Sequence, residues 1–426
     1  MASLRRESAM LFISMLRRVI RNGHLTLIDA QGRAHVVEAG SRRPRVAVRL
    51  HDRRLHRRLL LNPQLALGEA YMDGTLTVEE GGIDGLLDLL MSNTAGRTGN
   101  RLWSARHRFR MLARGLAQYN PIPVARRNVA HHYDLSTELF ETFLDPDMQY
   151  SCAYFREPGR SLDEAQESKK RHLAAKLLLK PGQRVLDIGS GWGGLALGLA
   201  EAGAGHVTGV TLSREQAARA RERAEAKGLG AKVDFQLKDY REVEGPFDRI
   251  VSVGMFEHVG VNHYARFFEQ VNRLLADDGV AVLHSIGRLD GPGVTNPWIA
   301  KYIFPGGYTP ALSEVIPKIE RSGLLVTDVE ILRLHYAETL KEWRRRFRAN
   351  WKRMAELYDE RFCRMWEFYL TGSEMGFRHQ GLMVFQIQMA KRIDAVPMTR
   401  DYIYEWERTA EREAARGAEA RRGEAA

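Results

Sequence analysis

Cysteine and long apolar runs are what this sequence has least of. Its 426 residues include only two cysteines, Cys152 and Cys363, which lie far apart in the chain. They offer neither a disulfide framework nor a paired-cysteine metal site, so we expect a reducing compartment. The apolar run at residues 9–16 is too short to span a bilayer and lacks a small-residue cleavage site. We therefore expect a cytoplasmic protein without a signal peptide.

Lysine is absent from the first third of the chain, although that third is strongly basic. Residues 1–128 contain 22 arginines, no lysine and 10 acidic residues, a net charge of +12. The remaining residues hold 42 basic and 43 acidic side chains, a net charge of −1. A segment with this excess of positive charge is expected to bind a polyanion, either a nucleic acid or an anionic membrane surface.

Composition and residue patterning divide the chain into segments. Apolar residues make up 44% of it, which excludes a wholly disordered protein. We predict a basic N-terminal domain at 1–118, of α/β or mostly helical type, followed by a proline-marked linker at 119–128. A larger domain is predicted at 129–408, with a helical insertion at 341–393, and a charged tail at 409–426.

Strand-like and helix-like runs alternate within the larger domain. Strands are predicted at 184–188, 206–210, 233–237, 249–253, 280–285 and 326–332, and helices at 194–201, 214–227 and 264–275. Such alternation indicates an α/β fold with a doubly wound, mostly parallel sheet.

A glycine-rich turn follows the first of these strands. Asp187 precedes the glycines Gly189, Gly191 and Gly193, and a helix is predicted directly after them. Glycines allow the backbone to approach a ligand closely, and the helix N-terminus offers unpaired N–H groups. A dinucleotide site looks similar, but the next strand lacks the acidic residue that binds a nicotinamide ribose. S-adenosylmethionine is therefore favoured, with Asp187 binding its ammonium group.

The ends of the neighbouring strands add further candidates, because ligands of parallel sheets bind at the carboxyl ends of the strands. Thr211 and Gln216 can hold the ribose or methionine part of the cofactor, and Asp239, Tyr240 and Arg241 can meet the adenine. The adjacent residues at 257 and 258 lack the spacing of a metal-binding motif, so no metal is expected.

Five short stretches contain most of the other chemistry-bearing side chains. They are His132-Tyr-Asp-Leu135, Gln149-Tyr-Ser-Cys-Ala-Tyr-Phe155, Met255-Phe-Glu-His-Val-Gly260, Leu283-His-Ser-Ile-Gly287 and His335-Tyr-Ala-Glu-Thr-Leu340. With these stretches in this order, residues 128–395 closely resemble the cyclopropane-fatty-acyl-phospholipid synthase family, which includes the mycolic-acid cyclopropane synthases. The resemblance implies a Rossmann-like class I methyltransferase fold. Family members that use phospholipids also carry an N-terminal domain, as this chain is expected to.

The resemblance further implies which residues hold S-adenosylmethionine and a bound bicarbonate ion. Cofactor contacts are implied at Tyr133, Tyr150, Ser151, the turn at Gly189, the segment 211–216 and the Tyr240–Arg241 position. Bicarbonate contacts are implied at Cys152, Glu257, His284, Ile286 through its backbone, and Tyr336. The sequence matches the family at all five of these positions.

The chemistry of a cis alkene explains why such a set is needed. An alkene is a weak nucleophile, so it requires a strong electrophile such as a sulfonium methyl, and methyl attack leaves a carbocation in the acyl chain. Water must be excluded, aromatic faces can stabilise the cation, and a base must remove a proton so that the ring closes. His284 and Tyr336 can donate hydrogen bonds to bicarbonate, while Glu257 can accept one from its hydroxyl.

The sequence thus predicts a cyclopropane-fatty-acyl-phospholipid synthase that acts on unsaturated phospholipids of an anionic membrane surface. We expect peripheral association with the inner face of the membrane, through the basic N-terminal domain. One alternative is a fatty-acyl-phospholipid methyltransferase that gives a methyl-branched or methylene product. Another is a nucleic-acid-binding module fused to a methyltransferase, but nucleic-acid-binding motifs are lacking, so no nucleic acid partner is expected. A homodimer is compatible with the prediction, because two membrane contacts give avidity.

Overall fold

Two β-sheets organise the part of the chain that the computed structural model describes, which comprises residues 2–40, 44–95, 111 and 135–424. No helix within these ranges is long and apolar enough to cross a membrane. The predicted linker at 119–128 and the candidate cofactor residue Tyr133 lie outside the described residues.

A four-stranded sheet forms the centre of residues 2–95, which we call the N-terminal module. Its strands are β1 (Gly23–Ile28), β2 (Ala34–Ala39), β3 (Arg45–Leu50) and β4 (Leu76–Glu80), in the order β2-β1-β3-β4. Buried and half-buried residues alternate along β1, as expected for a strand with one face on a core. The helices are α1 (Ala2–Val19), α2 (Leu55–Leu61), α3 (Pro63–Met72) and α4 (Gly82–Thr94). The module is therefore of α/β type and not mostly helical.

A seven-stranded sheet carries the rest of the fold. Its strands are β5 (Arg184–Ile188), β6 (His206–Thr211), β7 (Val233–Leu237), β8 (Phe247–Val253), β9 (Leu275–Arg288), β10 (Leu325–Ile331) and β11 (Leu382–Ala390). In the order β10-β11-β9-β8-β5-β6-β7, the last five strands are mutually parallel and β11 runs antiparallel to both neighbours. The strand order reverses beside β5, which is the topological switch point where ligands of such sheets bind.

Helices connect these strands and extend the fold beyond them. They are α5 (Thr137–Glu141), α6 (Leu162–Lys176), α7 (Gly194–Glu201), α8 (Arg214–Ala226), α9 (Tyr264–Leu274), α10 (Pro297–Tyr302), α11 (Leu312–Arg321), α12 (His335–Ala349), α13 (Trp351–Leu357), α14 (Glu360–His379) and α15 (Asp401–Glu424). Helix α6 begins at a capping box, in which the side chains of Ser161 and Glu164 bond each other's backbone N–H groups. The architecture confirms the predicted doubly wound α/β class.

The structure corrects two predicted boundaries. The helical insertion predicted at 341–393 extends too far, because α14 ends at His379 and strand β11 follows. All but the first residue of β11 are buried, so its apolar run lacks the alternation that would distinguish a strand from a buried helix. The tail boundary at 408/409 falls inside α15, where Glu407 is buried and lies 2.6 Å from Nδ1 of His172. Residues on both sides of that boundary thus belong to one helix.

One continuous hydrophobic core joins the N-terminal module to the helices that follow the large sheet. Leu87 of α4, Trp298 of α10 and Trp343 of α12 all belong to it. Two further clusters pack around the large sheet. The module therefore shares buried apolar surface with the rest of the protein.

Candidate active site

The glycine-rich turn between β5 and α7 adopts a backbone that only glycine accommodates readily. Gly189, Gly191 and Gly193 have φ angles of +87°, +54° and +83°. A Cβ atom on Gly189 would lie 2.7 Å from Cβ of Met255, and one on Gly193 would lie 2.5 Å from Cζ of Phe235. Gly191 faces open space at the same point. The turn thus combines tight packing behind it with room for a ligand in front.

A first cavity, the cofactor cavity, opens over this turn at the carboxyl ends of β5 and β6. The sequence-predicted cofactor residues that line it are Tyr150, Ser151, Asp187, Gly189, Gly191, Thr211, Gln216, Asp239 and Tyr240. Gly193 does not line it and instead contacts the protein interior. The structure therefore brings together every described residue of the predicted cofactor set except Gly193.

Asp187 supplies a buried carboxylate to the cofactor cavity. It is 2% exposed, and burial raises its pKa to about 7, while the positive charge of Lys169 opposes that rise. A cationic ligand group next to Asp187 would stabilise the ionised carboxylate. The site therefore fits the ammonium group of S-adenosylmethionine.

Other polar groups that line the cofactor cavity form hydrogen bonds with side chains of the protein. The Thr211 hydroxyl donates to Oε1 of Gln216 at 2.9 Å, at the point where β6 leads into α8. Asp239 accepts two hydrogen bonds of 2.7 Å from the Arg241 guanidinium, whose centre lies 5.5 Å from the Tyr240 ring. Asp239 is thus neutralised by Arg241, and this pairing of two residues expected at the adenine depends on the turn that the backbone makes after β7.

A second cavity, the reaction cavity, adjoins the first. The five residues predicted to hold bicarbonate, which are Cys152, Glu257, His284, Ile286 and Tyr336, all line it. The two cavities share Tyr150, Ser151, Gly254 and His258 in their walls. A group bound in one cavity is therefore next to a group bound in the other.

Glu257 places one satisfied and one unsatisfied carboxylate oxygen at the reaction cavity. Oε1 accepts a 2.6 Å hydrogen bond from the backbone N–H of Ile286, the group predicted to contact bicarbonate. Oε2 is buried and has no hydrogen-bond partner among the described residues. Burial raises the pKa of Glu257 to about 7. An unpaired buried acceptor is costly, so this oxygen fits a hydrogen-bond donor on a small bound molecule.

His284 and Cys152 face the reaction cavity in uncharged forms. Nδ1 of His284 lies 3.1 Å from Nε2 of Gln386, and burial lowers the pKa of the ring well below its ordinary value. A neutral ring that accepts at Nδ1 keeps its proton on Nε2 and can donate there. Cys152 donates to its neighbouring carbonyl, that of Ala153, and burial raises the pKa of its thiol. The thiol therefore suits a hydrogen-bond donor and not a nucleophile.

Sequence reasoning missed Lys169, which lies fully buried behind both cavities. Its Nζ donates to Oε1 of Gln149 at 2.6 Å and to Oγ of Ser151 at 2.7 Å, and burial lowers its pKa to about 8. In the sequence it stands in the charged run 167–171, which reads as the solvated face of a helix. Within the residues that the structure describes, no group of three potential metal-ligating side chains is found.

Comparisons with known proteins agree with this geometry. The family model described as mycolic acid cyclopropane synthetase matches residues 123–387. The chain belongs to this family. It is 38% identical to the cyclopropane-fatty-acyl-phospholipid synthase of Escherichia coli K12 over 353 residues, which are 82% of this chain and 88% of the relative. It is also 37% identical to the tuberculostearic acid methyltransferase UfaA1 of Mycobacterium tuberculosis over 395 residues, 89% of this chain and 90% of the relative.

Solved structures of cyclopropane synthases share the fold of the large sheet. The mycolic acid cyclopropane synthase CmaA1, crystallised with SAH and CTAB, is 35% identical and superposes with a TM-score of 0.59. The match covers 64% of this chain and 99% of that one. This member of the cyclopropane synthetase family is therefore an S-adenosylmethionine-dependent methyltransferase with a class I fold.

We predict that Lys169→Met changes the pH dependence of cofactor binding in this family member. The positive charge of Lys169 lowers the pKa of Asp187, so its removal should raise that pKa. Protonated Asp187 cannot attract a cationic ligand, and the affinity for S-adenosylmethionine should therefore begin to fall at a higher pH than in the wild type. Calorimetric titrations across a pH series measure this shift. If the affinity of the variant fell at the same pH as that of the wild type, and the variant unfolded at the wild-type temperature, Lys169 would not control the pKa of Asp187.

Proposed function

We propose that this chain is a cyclopropane-fatty-acyl-phospholipid synthase, which adds a methylene bridge to cis double bonds in phospholipid acyl chains. One observation carries the proposal: the cofactor cavity and the reaction cavity lie side by side. They share the wall residues Tyr150, Ser151, Gly254 and His258. The cofactor cavity has the glycine turn and the buried carboxylate of Asp187. The reaction cavity has the five residues expected to hold a base.

The residues of the reaction cavity suit a reaction that passes through a carbocation. The cofactor cavity would hold S-adenosylmethionine, which would supply an electrophilic methyl group, and the reaction cavity would hold a bicarbonate, which would supply a base. The Tyr150 ring stacks on Trp343 at 5.1 Å, and its hydroxyl lies 2.9 Å from that of Tyr369. Aromatic faces of this kind stabilise positive charge on the acyl chain without offering a nucleophile.

Three side chains are suited to hold the base in one orientation. His284 and Tyr336 can donate hydrogen bonds to its oxygens, and Oε2 of Glu257 can accept one from its hydroxyl. A bicarbonate held in this way would donate its hydroxyl to Glu257 and would keep an unprotonated oxygen for the substrate. The hydrogen bond from the Ile286 N–H holds Oε1 of Glu257 in place.

The substrate is proposed to be reached at an anionic membrane surface. Helices α1 and α2 pack together, with the Phe12 and His56 rings in edge-to-face contact at 5.9 Å. Met10 and Leu11 of α1 are 73% and 59% exposed. Exposed arginines stand beside them, and none of these makes an ion pair with a described residue. We call this the α1–α2 surface, and its exposed side chains are Met10, Leu11, Arg17, Arg18 and Arg57.

The double variant Arg17→Gln/Arg18→Gln tests this docking surface. Each basic residue near an anionic membrane contributes about 1 kcal/mol, so vesicle affinity should fall by about 30-fold. Co-sedimentation with vesicles of phosphatidylglycerol measures the loss, and affinity for SAH should stay unchanged. Vesicle binding at the wild-type level would contradict the surface. Saturable RNA binding by the wild type without vesicle binding would favour a nucleic-acid partner instead.

Expression in a bacterial host that lacks cyclopropane lipids tests the proposed function as a whole. Phospholipid acyl chains should gain one methylene unit each, at the expense of the monounsaturated species and not of the saturated ones. Mass spectrometry of the lipid extract measures the gain, and Glu257→Gln expressed to the same level is the control. A lipid profile identical to that of the empty vector would contradict the proposal.

A further inference from the structure

Helix α10 is a wall shared between the reaction cavity and the N-terminal module. Ile299 in the helix, and Thr295 and Phe304 on either side of it, line the reaction cavity. Trp298 and Tyr302, on the same short helix, instead contact helix α3 of the module. A displacement of α3 would therefore move α10 and, with it, part of the cavity wall.

The contact between α3 and α10 is specific and largely buried. Trp298 is 1% exposed, and its indole N–H donates to Sδ of Met72 at 3.2 Å. Oε1 of Glu69 accepts hydrogen bonds from Nζ of Lys301 at 2.7 Å and from the hydroxyl of Tyr302 at 3.0 Å. The other oxygen of Glu69 accepts from Arg58 at 2.8 Å, so both carboxylate oxygens of Glu69 are held by hydrogen bonds.

Gly68 of α3 makes the close approach of Trp298 possible. A Cβ atom at this position would lie 2.5 Å from Cδ1 of Trp298 and 2.9 Å from Cε1 of Phe368. Glycine is less favourable than alanine inside a helix, so local helix stability does not explain its presence in α3. The space that it leaves is filled by the Trp298 indole.

We propose that Gly68 and Glu69 are positioning residues for the reaction, acting through α10 on the wall of the reaction cavity. The inference rests on the proposed function, because it takes that cavity to be the place of methyl transfer to the acyl chain. The N-terminal module then helps to position the wall of the reaction cavity, in addition to binding the membrane. Neither residue lines the cavity, so their effect is indirect.

The variant Gly68→Ala tests the proposal. A methyl group at this position pushes Trp298 outward and tilts α10, and a misplacement of about 1 Å can cost up to 10²-fold in rate. We expect kcat for transfer of labelled methyl groups to fall by about tenfold or more. Affinity for SAH and binding to phosphatidylglycerol vesicles should stay at the wild-type level. The assay counts transferred label, so it does not depend on which lipid product forms.

Gly85→Ala in α4 is the matched control, because a Cβ atom there meets only Cγ2 of Val46 at 3.7 Å. It should leave kcat unchanged. The double variant Gly68→Ala/Trp298→Leu replaces the rigid indole, whose Nε1 and Cδ1 atoms the added methyl group would strike, by a smaller and flexible side chain. It should recover much of the lost kcat, a non-additivity expected of residues in contact. Should Gly68→Ala fail to fold, Glu69→Gln tests the same contact and should lower kcat several-fold.

Three results would overturn the proposal. One is wild-type kcat in a folded Gly68→Ala or Glu69→Gln variant. Another is a loss of activity that parallels a loss of vesicle binding, since the module would then act only as a tether. The third is a Gly68→Ala/Trp298→Leu variant no more active than Gly68→Ala. Absence of methyl transfer by the wild-type protein would instead refute the proposed function, so the two failures are distinguishable.

Discussion

Glu257→Gln should lower kcat by about 10²-fold or more, the scale of effect expected when proton transfer is misdirected. Oε1 of Glu257 accepts from the Ile286 N–H, and Oε2 is a buried acceptor without a described partner. An amide at this position places an NH₂ donor either against the Ile286 N–H or toward the base. The first arrangement sets donor against donor, so the second is favoured, and it removes the acceptor that orients the base. Steady-state kinetics with saturating S-adenosylmethionine measures the loss.

Two further readouts separate this role from a structural one. Affinity for SAH should change little, because Glu257 lines only the reaction cavity. The exposed Glu244→Gln is a matched control and should retain full activity. In the wild type, kcat should decline as the pH falls below about 7, since the buried Glu257 carboxyl then becomes protonated. A Glu257→Gln variant with wild-type kcat would refute the assignment.

Asp187→Asn should weaken the binding of S-adenosylmethionine by about 10²-fold. Asp187 is buried at the end of β5, and removing one partner from a buried ion pair costs about 3 kcal/mol. Asparagine keeps the shape of the side chain but loses the charge that attracts the ammonium group. Isothermal titration calorimetry measures the change, and Asp234→Asn, an exposed carboxylate on β7, is the control.

The pH dependence of cofactor binding gives a second test of Asp187. Its pKa in the protein is about 7 because of burial, so the carboxylate of the free protein becomes neutral as the pH falls below that value. Affinity for S-adenosylmethionine should therefore decrease from pH 8 toward pH 6 in the wild type. The Asp187→Asn variant should lack this decrease. Equal pH dependence in both proteins would show that Asp187 does not bind the ammonium group.

Much of the fold could be predicted because its elements have local signatures. Each βα unit from β5 to α9 has a short apolar strand, a turn and an amphipathic helix, and the predicted strands there differ from the observed ones mainly at their ends. Strand β11 was missed because it is buried almost throughout and includes Gln386 and Gln388, which break its apolar run. Alternating residues at 46–50 predict one strand in the N-terminal module, which corresponds to β3, but the other three were missed, since strands this short have weak patterns.

The candidate site could be predicted only as far as its residue types are distinctive. The glycine turn and the five stretches led to the walls of both cavities. Burial of Lys169 could not be foreseen, because its neighbours in the sequence are charged. The contact of Gly68 with Trp298 joins residues 230 positions apart, and no local pattern indicates which glycine meets which indole. Such facts depend on tertiary packing alone.

The chemical form of the transferred carbon tests the proposed function most directly. The purified protein would be incubated with ¹³C-methyl-labelled S-adenosylmethionine and phosphatidylglycerol vesicles with cis-monounsaturated chains, and the product lipid examined by NMR. We predict that the label appears as the CH₂ of a cyclopropane ring, with its high-field ring protons. A label found as a methyl branch or as an exocyclic methylene would contradict the proposal and identify the chain as a fatty-acyl-phospholipid methyltransferase of the branching type.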